Sequence, residues 1–150
     1  SILSGANEEV EDAIIGQIII DDVDINLPIL KGTTDANLLV GATTMRPDQI
    51  MGQGNYPLAG HYNRNKGKLF HSLMDVKAGT IVKITNKETV YEYKIYDTII
   101  VPETRVELIE DDEAAKRGKP IISLMVCYYT SKNGKRYFAL GELVDKYPYE

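Results

Sequence analysis

Cys127 is the only cysteine in this 150-residue chain. It ends an apolar run, Ile121-Ile122-Ser123-Leu124-Met125-Val126-Cys127, that reads as a buried strand opening toward a loop. Arg136 leads a second strand-like run, Arg136-Tyr137-Phe138-Ala139-Leu140, and His61 closes a third apolar segment, Tyr56-Pro57-Leu58-Ala59-Gly60-His61. A thiol, an imidazole and a guanidinium, each at a strand edge, suit a nucleophile with a proton partner and an oxyanion donor. Cysteine attacks as thiolate, a form that a nearby cation or histidine favours. An imidazolium can protonate a leaving amine, and a guanidinium offers fixed donors to an oxygen that becomes negative. Acyl transfer through a thioester would use all three. A lone cysteine is also often a small buried hydrophobe, so an inert thiol in a non-catalytic surface β-barrel binding module is the competing reading.

The elements that must position these residues are mostly strands. Ile14 to Ile20 is apolar and β-branched. Val23, Ile25, Leu27 and Ile29 then alternate with Asp24, Asn26 and Pro28, the period of a half-buried strand, with Pro28 pointing to an edge or a strand end. Thr80–Thr85 and Val90–Val101 read as strands joined into a hairpin across Asn86-Lys87-Glu88-Thr89. Ser131-Lys132-Asn133-Gly134 is a turn signal that makes the cysteine and arginine strands antiparallel neighbours. Neighbouring strands lie ~4.8 Å apart, which brings Arg136 within reach of a group bound at Cys127. His61 must arrive from a third strand.

Helical signals are short: Asn7 to Ile15, a turn through Leu38-Leu39-Val40 capped by Asp35, and Leu69 to Val76, with His71 in a surface turn. Pro102 to Pro120 is a long charged connection, a type that is often functional. Seven or eight short strands with little helix indicate an all-β closed barrel or sandwich.

Composition narrows the function classes. Hydrophobic residues at 43% and charged residues at 26% suit one globular domain over residues 1–150. A net charge of -5 with scattered basic residues argues against a nucleic-acid partner. One cysteine excludes an internal disulfide. No stretch reaches the ~18–20 apolar residues that span a bilayer, and the chain starts at Ser1, so an N-terminal membrane anchor is expected to be missing from it. Gly52-Gln53-Gly54 lacks the third glycine of a dinucleotide loop, and no cysteine–histidine spacing suits zinc. The segment after His61, Asn63-Arg64-Asn65-Lys66, is basic, and the acidic run Glu110–Glu113 reads as a solvated face rather than a calcium site. Neither metal nor cofactor is expected.

Leu58-Ala59-Gly60-His61, Ser123-Leu124-Met125-Val126-Cys127 and Arg136 together resemble the three signature segments of the sortases. Leu39-Val40-Gly41-Ala42-Thr43-Thr44-Met45, followed by Met51-Gly52-Gln53-Gly54-Asn55-Tyr56, resembles class A in particular. The similarity runs from about residue 14 to residue 145. It implies a closed eight-stranded β-barrel with a few short helices. It further implies a membrane-anchored transpeptidase on the outer face of a Gram-positive cell membrane. Such an enzyme cuts a Leu-Pro-x-Thr-Gly signal of surface proteins between Thr and Gly. An amine of the peptidoglycan precursor, lipid II, then resolves the thioester.

By the same resemblance Cys127 is the nucleophile, His61 the general acid/base and Arg136 the oxyanion and substrate-positioning group. Ala42, Ala59, Met125 and Val126 match positions near the sorting-signal groove, and Val106 and Leu108 match one groove wall. The family pattern Thr-Leu-x-Thr-Cys is altered here, with Ser123 and Val126 at the threonine positions. Loss of a hydroxyl donor beside the nucleophile would raise the barrier by about 2–4 kcal/mol. A cysteine protease, in which water resolves the thioester, is the second enzyme reading.

Overall fold

The computed structural model describes residues 2–62, 69–127 and 134–150, with the side chains of 2–7 and of Cys127 not described. Eight strands form one closed barrel: β1 (Ile14–Ile20), β2 (Ile25–Leu30), β3 (Ala42–Thr44), β4 (Asn55–His61), β5 (Ile81–Thr85), β6 (Thr89–Pro102), β7 (Ile121–Cys127) and β8 (Lys135–Pro148). Their order around the barrel is β1-β2-β3-β4-β7-β8-β6-β5. The closed barrel, not the sandwich, is therefore the architecture. Two contacts are parallel, β2 with β3 and β4 with β7, and the rest are antiparallel.

The β-branched runs do become strands, and the turn 86–88 closes the β5–β6 hairpin. The helix expected at Asn7–Ile15 is displaced: α1 covers Ile2–Ala13, and Ile14 starts β1, paired with Leu30. α2 (Asp35–Leu38) is capped by Thr34 rather than Asp35, the Thr34 hydroxyl accepting from the Asn37 N–H at 3.1 Å. Extended backbone at position 34 lets its oxygen reach back to that donor. A closed barrel leaves Pro28 no free edge. Yet only Ile29 and Leu30 of β2 pair with β3, so Pro28 has a ladder on the β1 side alone.

Residues 103–120 are not an open loop. They hold a 3-10 turn at Val106–Ile109 and a short helix, α3 (Asp112–Arg117), ended by Gly118 at a left-handed φ of 66°. Arg117 fixes α3 to the barrel wall by stacking 3.5 Å over the Tyr96 ring and pairing with Glu142 at 2.8 Å.

Period-two alternation sorts the apolar residues into two cores. Leu58, Leu124 and Val126 join Ile18, Ile84 and Tyr93 inside the barrel. Ala59, Met125, Phe138 and Leu140 face outward and are covered by Leu108 from the 103–120 segment.

Candidate active site

Strand register assembles the predicted trio. In the parallel β4–β7 ladder His61 is opposite Cys127, and in the antiparallel β7–β8 ladder Cys127 is opposite Arg136. The three positions form one row across three adjacent strands, at the end where β4 and β7 stop and β8 begins. The row two residues further in is Ala59, Met125 and Phe138. All three belong to the outward-facing cluster. Alternation therefore puts positions 61, 127 and 136 on that same outer face. The turn expected at Ser131-Lys132-Asn133 lies outside the described residues, as do Asn63–Lys66.

Gly60, between Ala59 and His61, is needed for a close approach. A Cβ there would lie 1.7 Å from Cδ2 of Phe70, whose ring is fully buried against β4. The Phe70 N–H in turn donates to the His61 carbonyl at 3.2 Å. His71 is half-buried rather than a surface residue, its ring 5.3 Å from that of Tyr62. His61 is half-buried.

Arg136 is 30% exposed at its side chain and pairs through Nη2 with Glu103 Oε2 at 3.2 Å. Its Nη1 donates to the Lys135 carbonyl at 3.2 Å. It lines a cavity of about 310 Å³ with Met45, Pro102, Glu103, Arg105, Val106, Ile109, Met125 and Phe138. The cavity is a mainly apolar groove with a guanidinium at one end, a shape suited to an extended peptide with a carbonyl to be polarised.

Of the residues matched to the groove, Met125 and Val106 line this cavity. Ala42, Ala59 and Leu108 are buried beneath it or within the barrel. Phe138 was not foreseen, although it lies two residues from Arg136 and so shares its strand face. Met45, Ile109 and Glu103 carried no comparable signal.

Val126 is fully buried in the interior cluster, not in the groove. A threonine hydroxyl at this position would thus point into apolar packing. Val126→Thr is expected to lower stability by about 1–3 kcal/mol through an unsatisfied buried hydroxyl and to give no gain in kcat/KM. Thermal melts and peptide kinetics on the variant check both parts, and a rise in kcat/KM would restore the oxyanion account of position 126.

The groove wall is tied to the barrel by polar groups. Asn55, 1% exposed, donates from Nδ2 to the carbonyls of Leu108 (2.9 Å) and Glu110 (2.7 Å). Its Oδ1 accepts from the Ser123 hydroxyl at 2.8 Å. Its backbone N–H donates to Asp111 Oδ1 at 2.9 Å, and the same oxygen pairs with Arg46 Nη1 at 2.9 Å. The Arg46 guanidinium, helped by that N–H, holds the Asp111 carboxyl below its ordinary range, and Asp111 raises Arg46 in return. Among the described residues no group of three or more His, Cys, Asp or Glu could hold a metal ion.

A family model for the sortase domain matches residues 18–144. The chain belongs to the sortase family. It is 44% identical over 143 residues to sortase A of Listeria monocytogenes, covering 95% of this chain and 62% of that protein. It is 40% identical over 131 residues to sortase A of Bacillus anthracis, covering 87% and 60%. The chain thus spans about three-fifths of these curated sortases. The crystal structure of Listeria monocytogenes sortase A superposes with a TM-score of 0.85 at 42% identity, over 93% of this chain and 92% of that one. Sortase C-3 of Streptococcus pneumoniae gives 0.78 at 25% identity, over 91% and 65%. The class A segments at 39–45 and 51–56 accord with these sortase A likenesses.

Proposed function

We propose that this sortase domain is a cysteine transpeptidase acting on Leu-Pro-x-Thr-Gly signals of surface proteins. The observation that carries the reading is the single register row of His61, Cys127 and Arg136. The Cys127 thiolate attacks the threonine carbonyl carbon, and the resulting oxyanion is stabilised by the Arg136 guanidinium. Collapse breaks the Thr–Gly bond, with the His61 imidazolium giving its proton to the departing glycine amine. The acyl group stays on Cys127 as a thioester. An incoming amine, that of a peptidoglycan precursor such as lipid II, loses a proton to His61 and displaces the thiolate. Met125, Phe138, Val106 and Ile109 hold the apolar part of the signal. Residues 1–150 act as one catalytic domain, held at the outer face of a Gram-positive cell membrane by an anchor. The sortase A likenesses support that placement. No helix among the described residues is long and apolar enough to cross a membrane.

Incubation with a Leu-Pro-x-Thr-Gly peptide is expected to leave an acyl adduct on Cys127, visible by intact mass. Adding an amine acceptor converts the adduct to ligated product, whose ratio to hydrolysed product rises with acceptor concentration. A folded protein that forms no adduct overturns the reading for that signal. A flat ratio instead identifies a thiol protease.

A further inference from the structure

We propose that Ser123 and Asn55 are positioning residues that set the affinity for the sorting signal by holding one wall of its groove. The inference rests on the transpeptidase reading. Ser123 is fully buried on β7, two residues before Met125 at the groove floor. Among the described residues its hydroxyl donates to one acceptor, the Asn55 side-chain oxygen. That bond fixes which way the amide faces, so that both of its N–H groups meet the Leu108 and Glu110 carbonyls. These two carbonyls flank Ile109, whose side chain lines the cavity, while Leu108 plugs the space above Ala59 and Met125. One buried amide therefore sets how far the wall stands from the floor. A buried polar atom that loses its partner carries the full desolvation penalty, which makes this pair decisive. The outer tie, Arg46 with Asp111, joins a guanidinium 13% exposed to a carboxylate 57% exposed, so water reaches and screens it, whereas the Ser123–Asn55 bond is buried.

The catalytic row sits at the other end of β4 and β7 and is held by strand register, so losing the pair should change binding more than chemistry. Ser123→Ala is expected to raise KM for the peptide about three- to tenfold with kcat within about twofold. Ser123→Thr, which restores a hydroxyl, should return KM to the parent value, whereas Ser123→Val should not. Amide hydrogen exchange in the peptide-free protein should quicken at residues 107–111 in Ser123→Ala and Ser123→Val only. The parent protein's acyl adduct on Cys127 is the control for the function itself. If the parent forms no adduct, the transpeptidase reading fails, and the exchange data still decide the wall. Unchanged exchange overturns the proposal. So does an unchanged KM in an adduct-forming protein, and so does an equal loss of activity in the Ala and Thr variants.

Discussion

Arg136→Lys should lower kcat/KM for a Leu-Pro-x-Thr-Gly peptide by about two to three orders of magnitude, the usual effect of removing one oxyanion donor. Lysine keeps the charge but offers a mobile point donor in place of a planar fork. The folded state should scarcely notice. The guanidinium is partly exposed, and its partner Glu103 is 56% exposed, so their ion pair at 3.2 Å contributes about 0–1 kcal/mol. The backbone pairing of Arg136 with Cys127 and Val101 does not depend on the side chain. The loss should therefore appear in kinetics, and mainly in the acylation rate, with the melting temperature near that of the parent. Turnover equal to the parent's would remove Arg136 from the mechanism, and a collapse in melting temperature would recast it as a structural residue.

Gly60→Ala should instead act on the fold. The added methyl would meet Phe70 at 1.7, 2.1 and 2.4 Å, on Cδ2, Cγ and Cε2. That is the face of a fully buried ring, not the free end of a flexible chain. The ring must move, and the His61 carbonyl, bonded to the Phe70 N–H, moves with it. Overpacking of a tight core costs about 1–3 kcal/mol and sometimes more, and here about 3 kcal/mol or above is expected, with activity falling further than stability. Urea denaturation gives the first figure. Phe70→Leu in the same chain should recover part of the loss, since contacting sites couple. A penalty under about 1 kcal/mol, within the range of ordinary substitutions, would show that Phe70 gives way freely.

Much of the barrel was legible because its strands announce themselves. Ile14–Ile20 is isoleucine at five of its seven positions, and the polar residues 86–88 interrupt two strand-like runs to make a hairpin. Val126 was matched to the groove by the resemblance, yet it packs inside the barrel, because strand alternation sends position 126 to the face opposite 125 and 127. The neighbour of β4 was not legible. β4 lies beside β7 rather than β5, a choice made by long-range packing that no local pattern carries. Residues 103–120 hid their structure because a four-residue turn and a six-residue helix are too short to show a periodic stripe. Asn55 gave no hint of its role, because a buried amide is identified only by what surrounds it. Thr34 and Asp35 are both capable of capping a helix, and the backbone angles at position 34 decided between them.

The parallel pairing of β4 with β7 has a bearing on when the protein becomes reactive. Parallel neighbours cannot be joined by a tight turn, and here the chain builds β5 and β6 before β7 returns to β4. Contacts of such long sequence separation are intrinsically slow to form, because the loop must close before the pairing rewards it. Until they do, His61 is not beside Cys127, although Arg136, on the next strand along the chain, can already pair with β7. Nascent, clipped or partly opened chains would then lack the imidazole that the proposed acyl transfer needs, so that the order of assembly, rather than a separate inhibitor, would withhold the complete row until the barrel closes.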